Sequence, residues 1–250
     1  MPKLNYKIII PLFVLGLIVA YFIFAYNYVF YKIGQGGLTF VDMQKVYVLN
    51  EKLNTSDKVV YAALGDSLTA GAGASKYEES WPYLVAQKLA GDSRRVVLTD
   101  FAVPGYRTDD LLNVLVDPAL NSKPDVVTLL IGTNDIYSNV SAEEFAQNYR
   151  AILEKLKSAK TKVYLISIPF IGSSSIILPA YSSYSAARIT KFNNIINNFA
   201  KEYGFAYIDI ATPTKNLLKT DGTHYSADAF HPSASGYALF ANLIYDHLNY

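Results

Sequence analysis

The chain has no cysteine, only three histidines (His224, His231 and His247), two methionines and a single tryptophan among its 250 residues. Without cysteine there can be no disulfide, no thiol nucleophile, no thiolate-bound zinc and no lipid-modified N-terminal cysteine. The few histidines are not set in an H-E-x-x-H pattern, which argues against a zinc hydrolase. An excess of one charge is also missing: 22 Lys and Arg stand against 21 Asp and Glu, for a net charge of +1. With no basic block to meet a phosphate backbone, nucleic acid is not the expected partner. Internal repeats and long low-complexity tracts are absent too. What remains is chemistry at oxygen and nitrogen in a chain that is 51% apolar and long enough for a sizeable core.

An uncharged run over 8–30, rich in Ile, Leu, Val, Phe and Tyr, is long enough to cross a bilayer core as a helix. No small-x-small cleavage pattern precedes Tyr26, Tyr28 and Tyr31, so an uncleaved anchor is expected rather than a signal peptide. Lys3, Lys7 and the amino terminus outweigh Lys32. This predicts residues 1–7 in the cytoplasm, a membrane helix over 8–30 and everything beyond it outside the cytoplasm. Residues 31–57, with Gly34, Gly36 and Gly37, read as a juxtamembrane linker before a domain over 58–250.

From there the pattern is regular. Apolar runs at 59–64, 96–103, 126–131, 163–168 and 205–210 read as buried strands, with helices expected near 81–90 (Ser80 as N-cap), 108–115, 142–159 (Ser141 as N-cap), 186–203 and 234–248. Such alternation predicts an α/β fold with parallel strands and helical crossovers, its site built by loops at the carboxyl ends of the strands. The connection over 171–184 carries Ile176-Ile177-Leu178-Pro179, which reads either as a cover over the sheet edge or as a flap lining an acyl pocket.

Four strand-end segments carry chemistry. Gly65-Asp66-Ser67-Leu68 puts a serine where a strand gives out, and the small residues Gly65, Ala70, Gly71, Ala72 and Gly73 are expected to let a substrate come close. In Pro104-Gly105 a bare backbone N–H can face an anion, and in Gly132-Thr133-Asn134-Asp135 an amide side chain is on offer. In Asp228-Ala229-Phe230-His231-Pro232 the spacing of three lets a carboxylate hold an imidazole. Asp221 precedes His224 by the same spacing, so His224 is a rival base on spacing alone.

These segments, in this order along 59–250, resemble the SGNH hydrolases, the GDSL esterases and lipases. The resemblance implies a three-layer α/β/α sandwich around a five-stranded parallel, flavodoxin-like sheet, preceded here by the membrane helix. It implies Ser67 as nucleophile, His231 as general base and acid, and Asp228 as the residue orienting the imidazole. The Ser67 and Gly105 N–H groups with the Asn134 side chain would form the oxyanion hole, and no cofactor or metal is expected. Pro232 and the helix after it, as the family has them, favour His231 over His224. Asp66 and Asp135 are read as supports of their loops.

The reaction so implied is ester hydrolysis through an acyl-enzyme, with activity rising as pH climbs through the ordinary imidazole range, because the base must be neutral to take a proton. The expected substrate is an acyl lipid or lysophospholipid-type ester. The alternatives are deacetylation of a cell-surface glycan, or a catalytically silent anchored binding module. A phosphate loop at Gly71-Ala72-Gly73-Ala74-Ser75-Lys76 is excluded by its glycine spacing.

Overall fold

The computed structural model describes residues 6–35, 45–53, 56–172, 175–220 and 222–248. Lys3, Gly36, Gly37, Asn54, Thr55 and Asp221 lie outside them.

Five parallel strands form where the apolar runs occur: β2 (Lys58–Gly65), β3 (Arg95–Ala102), β4 (Val126–Leu130), β5 (Lys162–Ile166) and β6 (Ala206–Ile208). Helices cover both faces of this sheet, so side chains on both sides of a central strand are withdrawn from water, and β4 is buried at every position. A sixth strand, β1 (Val46–Leu49), pairs antiparallel with β3 at one edge, giving the order β1-β3-β2-β4-β5-β6. The expected count of five is thereby corrected. The chain read as a linker supplies the extra strand. Tyr47 stacks on Tyr77 with ring centroids 4.6 Å apart, and the Asn50 side chain donates to the carbonyls of Gly91 and Arg94, each at 2.9 Å. Four residues of mixed pattern, exposed on alternate positions, gave no sustained period to read.

The helices are α1 (Tyr6–Gln35), α2 (Trp81–Ala90), α3 (Thr108–Val114), α4 (Val116–Asn121), α5 (Thr133–Tyr137), α6 (Ala142–Ser158), α7 (Pro179–Tyr203), α8 (Ala211–Thr220) and α9 (Ala234–Tyr245). Ser141 caps α6 as expected, accepting from the Glu144 N–H at 3.0 Å. Ser80 precedes α2 but its side chain makes no capping hydrogen bond, and Pro82 in the first turn starts the helix instead. The helix expected from 186 begins a full two turns earlier, with Pro179 at its start. Ile176 and Ile177 are buried, and Ile177 packs toward Gly172, where an added Cβ would lie 2.2 Å from its Cδ1.

α2 packs with α9, while α3, α4, α6 and α7 pack among themselves, which makes the three layers. Among the described residues α1 is the one helix long and apolar enough to cross a membrane. Its first half, through Ala20, is exposed, whereas Ala25 and Val29 are buried against the domain. The parallel strands run β3-β2-β4-β5-β6. The chain moves from β2 outward to β3 and then back past β2 to β4. The crevice at that reversal lies beyond the carboxyl ends of these three strands.

Candidate active site

Ser67, Gly105 and Asn134 follow β2, β3 and β4, so the topology alone brings them to the crevice. Beyond Gly65 the chain turns at once: the Thr69 and Ala70 N–H groups donate to the Asp66 carbonyl at 3.1 and 2.9 Å, and Leu68 N–H donates to Asp66 Oδ1 at 3.0 Å. This turn lifts Ser67 above the sheet. Its support role for Asp66 is matched by Asp135, whose carboxylate accepts the Thr108 N–H at 3.0 Å and ties the β4 loop to the start of α3.

The histidine arrives from the other end of the chain, on a loop closed by the Tyr225–Pro232 bridge and by Ser226 N–H donating to the His231 carbonyl at 2.9 Å. Within it Ala229 takes a left-handed φ of +56°, which turns the chain tightly enough for Asp228 to face back. Asp228 Oδ1 accepts from Ser226 Oγ, Phe230 N–H and His231 N–H at 2.7, 2.8 and 2.9 Å. Its Oδ2 is left for His231 Nδ1, 2.6 Å away, and His231 Nε2 lies 2.9 Å from Ser67 Oγ. All three side chains are buried, Ser67 being 7% exposed and both others 4%. The geometry thus brings His231, not His224, to the serine; His224 Nδ1 instead lies 3.1 Å from Ser235 Oγ.

The small residues after Ser67 do something other than admit substrate. A Cβ at Gly73 (φ +93°) would meet the Pro232 carbonyl at 2.7 Å and His231 Cβ at 2.9 Å, and one at Gly71 would meet Ser80 Cβ at 2.8 Å. The smallness of Gly73 lets the serine loop lie directly on the histidine loop, and that of Gly71 lets it lie against Ser80 at the start of α2. Ala70 and Ala72 are buried, and the Ala72 carbonyl accepts from Tyr237 OH of α9 at 2.7 Å. Gly105 is the exception. At φ +86° it has no atom within 4 Å of where a Cβ would stand, so its backbone is open toward the crevice.

A cavity of about 180 Å³ meets Ser67, Gly105, Asn134 and His231 on one side. Asn134 Nδ2 donates one hydrogen to the Tyr106 carbonyl at 2.9 Å, which orients the amide and leaves its second N–H. Among the described residues neither the Ser67 nor the Gly105 N–H donates to a protein acceptor. The other walls are apolar: Pro104, Tyr137, Phe230 and, from α1, Val29, Phe30 and Ile33. Sequence reasoning missed Phe230 and the three α1 residues. Phe230 sits inside the Asp-x-x-His motif, and the α1 residues were absorbed into the apolar run. The Ile176-Ile177-Leu178-Pro179 stretch does not line this cavity.

Electrostatically the carboxylates divide. Burial works to raise Asp228, but the hydrogen bond and positive charge of His231, with the Ser226 and Phe230 donors, overturn it and hold the carboxyl down at about 2. Burial pushes Asp66 up to about 7, aided by the nearby Asp135 charge and opposed by the Leu68 N–H, and pushes Asp135 up to about 6 against its Thr108 hydrogen bonds. In the unfolded chain both would lose their protons near pH 4, so across about pH 4–7 the native state holds more protons and stability falls as pH rises. Thermal unfolding of the full chain in detergent is expected to show this fall between pH 5 and pH 8. Asp66→Asn retains an acceptor for Leu68 N–H, and is expected to flatten the slope and add about 1–3 kcal/mol at pH 8. An unaltered slope would remove Asp66 from the account.

The profile of the GDSL-like Lipase/Acylhydrolase family matches residues 63–239, which include Ser67, Gly105, Asn134, Asp228 and His231. The chain belongs to this family. As a GDSL-type protein it is a carboxylic ester hydrolase. Among its relatives, the spore germination lipase LipC of Bacillus licheniformis is 27% identical over 203 residues, covering 71% of this chain and 90% of the relative. The GDSL-like esterase Rv1075c of Mycobacterium tuberculosis is 26% identical over 72% of this chain and 59% of its own. Solved structures share the GDSL fold, among them the lipase/acylhydrolase of Enterococcus faecalis (TM-score 0.61, 24% identity, 75% of this chain and 94% of that one). The psychrotrophic esterase EstA of a Pseudoalteromonas species, solved with monoethylphosphonate as inhibitor, is similar over 75% of this chain and 95% of its own, with TM-score 0.61 and 21% identity.

Proposed function

We propose that this GDSL hydrolase is a membrane-anchored serine esterase acting on acyl-lipid esters through Ser67, His231 and Asp228. The observation that carries the reading is the unbroken relay from Asp228 Oδ2 to His231 Nδ1 at 2.6 Å and from His231 Nε2 to Ser67 Oγ at 2.9 Å. In the reaction His231 Nε2 takes the hydroxyl proton as Oγ attacks the ester carbonyl. The proton passes to the leaving alcohol as the ester C–O bond breaks, and water repeats the sequence on the acyl-enzyme. Asp228, ionised throughout, stabilises the imidazolium that forms. The Ser67 and Gly105 N–H groups and the second Asn134 N–H meet the oxyanion.

The apolar walls of the cavity favour an acyl chain over the acetyl group of a glycan. Burial of Ala25 and Val29 supports α1 as a retained anchor, since a cleaved leader would have no reason to pack on the mature domain. With Lys3 and Lys7 before the span, the domain would lie outside the cytoplasm.

The test is covalent. An alkyl fluorophosphonate offers phosphorus in place of the carbonyl; Oγ displaces fluoride and the O–P bond persists. Peptide mapping should find the adduct on Ser67, and a folded chain that stays unlabelled would overturn the reading. A companion expectation concerns the oxyanion hole: Asn134→Ala is expected to lower kcat on nitrophenyl acetate by about 10²–10³ with a much smaller change in KM. Unchanged turnover would take Asn134 out of the oxyanion hole.

A further inference from the structure

α1 does more in this structure than lie beside the domain. From Ala25 onward it packs on the catalytic face, and Val29, Phe30 and Ile33 complete the cavity that holds Ser67 and His231. One turn further toward its N-terminus, the same helix forms a groove of about 540 Å³. Its α1 wall is Ile18, Val19, Phe22, Ile23 and Tyr26, and Tyr181 and Tyr184 of α7 stand opposite. The groove and the cavity lie next to each other along α1, divided by packed rings: that of Tyr137, in the cavity wall, lies 6.3 Å from that of Tyr181, in the groove wall, so a chain passing from one to the other runs along this pair. Phe22 closes onto the same two tyrosines, with centroids 6.3 Å from Tyr181 and 5.7 Å from Tyr184.

The vertical register is informative. A span of about 30 Å needs roughly 20 helical residues, which starting at Ile8 reaches Asn27. Residues 18–27, the groove wall, then cover about 14 Å, the depth of the hydrocarbon of one leaflet. With the hydrocarbon crossed by residues 8–27 of the 8–30 run, Val29 to Ile33, and with them Ser67, would come just beyond it, at the level where a bilayer lipid carries its ester linkages.

We infer that the substrate is a lipid resident in the leaflet on the domain side, taken without leaving the bilayer, one acyl chain lying in the groove between α1 and α7 while its ester reaches Ser67. The anchor is thus a wall of the substrate site as well as a tether. The chemistry is that of the proposed hydrolase, on which this inference rests: Oγ forms the acyl bond, the lipid alkoxide leaves with the proton from His231, and water releases the fatty acid. For a soluble ester drawn from water, each methylene seated in the groove strengthens transition-state binding by about fourfold, so kcat/KM on such esters should climb with chain length until the groove is filled.

The full chain in phosphatidylcholine vesicles is treated with a long-chain alkyl fluorophosphonate bearing a diazirine at the chain terminus, then illuminated. The phosphonate reports the serine and the diazirine reports where the chain lies. Crosslinks from Ser67 to peptides holding 18–27 or 181–184 are expected. Crosslinks to other parts of the domain, with Ser67 labelled, would overturn the groove alone. Absence of any Ser67 label would overturn the hydrolase reading beneath it.

A second measurement uses the exposed groove residue Ser138. Ser138→Trp fills the groove from the domain side, and is expected to lower the ratio of kcat/KM for nitrophenyl dodecanoate to that for nitrophenyl acetate by at least tenfold. A ratio equal to that of the unsubstituted protein would count against the groove, while acetate turnover by the same variant reports that it has folded.

Discussion

Ser67→Ala in the full chain is expected to reduce kcat on short nitrophenyl esters by about 10⁶, leaving a residue of roughly 10³–10⁴ over water. The loss is large because the step it removes has no substitute. His231 Nε2 then faces a methyl group instead of the hydroxyl now 2.9 Å away, and no other described hydroxyl lies within hydrogen-bond distance of that nitrogen. The residue survives because the Gly105 N–H, the Asn134 amide and the apolar walls remain to bind and polarise an ester. Fold stability should change little, since Ser67 Oγ makes no structural hydrogen bond besides the one to His231. The measurement is steady-state hydrolysis with the unfolding temperature taken on the same preparation. A loss below about 100-fold, with the variant folded, would transfer the nucleophile elsewhere.

How much of this was legible beforehand follows from where the information lies. The five parallel strands declare themselves because a strand covered on both faces must be apolar at nearly every position, as in Val126–Leu130. β1 did not, because an edge strand of four residues needs only alternate burial and its register is fixed by β3 and by Asn50. The polar site was readable, since Asp228 and His231 lie three residues apart and the chemistry dictates their types. Its apolar half was not. Val29, Phe30 and Ile33 meet the Ser67 loop across some 35 residues of sequence, and in isolation they satisfy the requirements of a membrane helix equally well. The glycines were read for the wrong reason: Gly71 and Gly73 are small because neighbouring loops occupy the space, and only contacts distant in sequence show it. The start of α7 at Pro179 was hidden by the serines around it, which favour turns until a packed face such as Tyr181 decides for helix.

Asp228→Asn is the more discriminating experiment, because it leaves the loop intact and changes a tautomer. The amide oxygen can stay where Oδ1 accepts from Ser226 Oγ, Phe230 N–H and His231 N–H, so the turn around Ala229 keeps its hydrogen bonds. The amide nitrogen then occupies the place of Oδ2, 2.6 Å from His231 Nδ1. A donor there requires Nδ1 to accept, which drives the ring proton to Nε2. A protonated Nε2 cannot take the proton from Ser67. The expected outcome is a loss of about 10⁴ in kcat with the unfolding temperature nearly unchanged. Labelling by a fluorophosphonate, which needs the same proton removal, should slow in parallel. In the unsubstituted protein Asp228, held down at about 2, stays ionised across the working range, so the carboxylate does not set the acid limb of its pH profile. If instead Asp228→Asn retained activity within tenfold of the parent, the carboxylate would be a strut of the loop, and orientation of His231 would have to come from the backbone contacts of that loop, the Tyr225–Pro232 bridge and the Ser226 N–H on the His231 carbonyl.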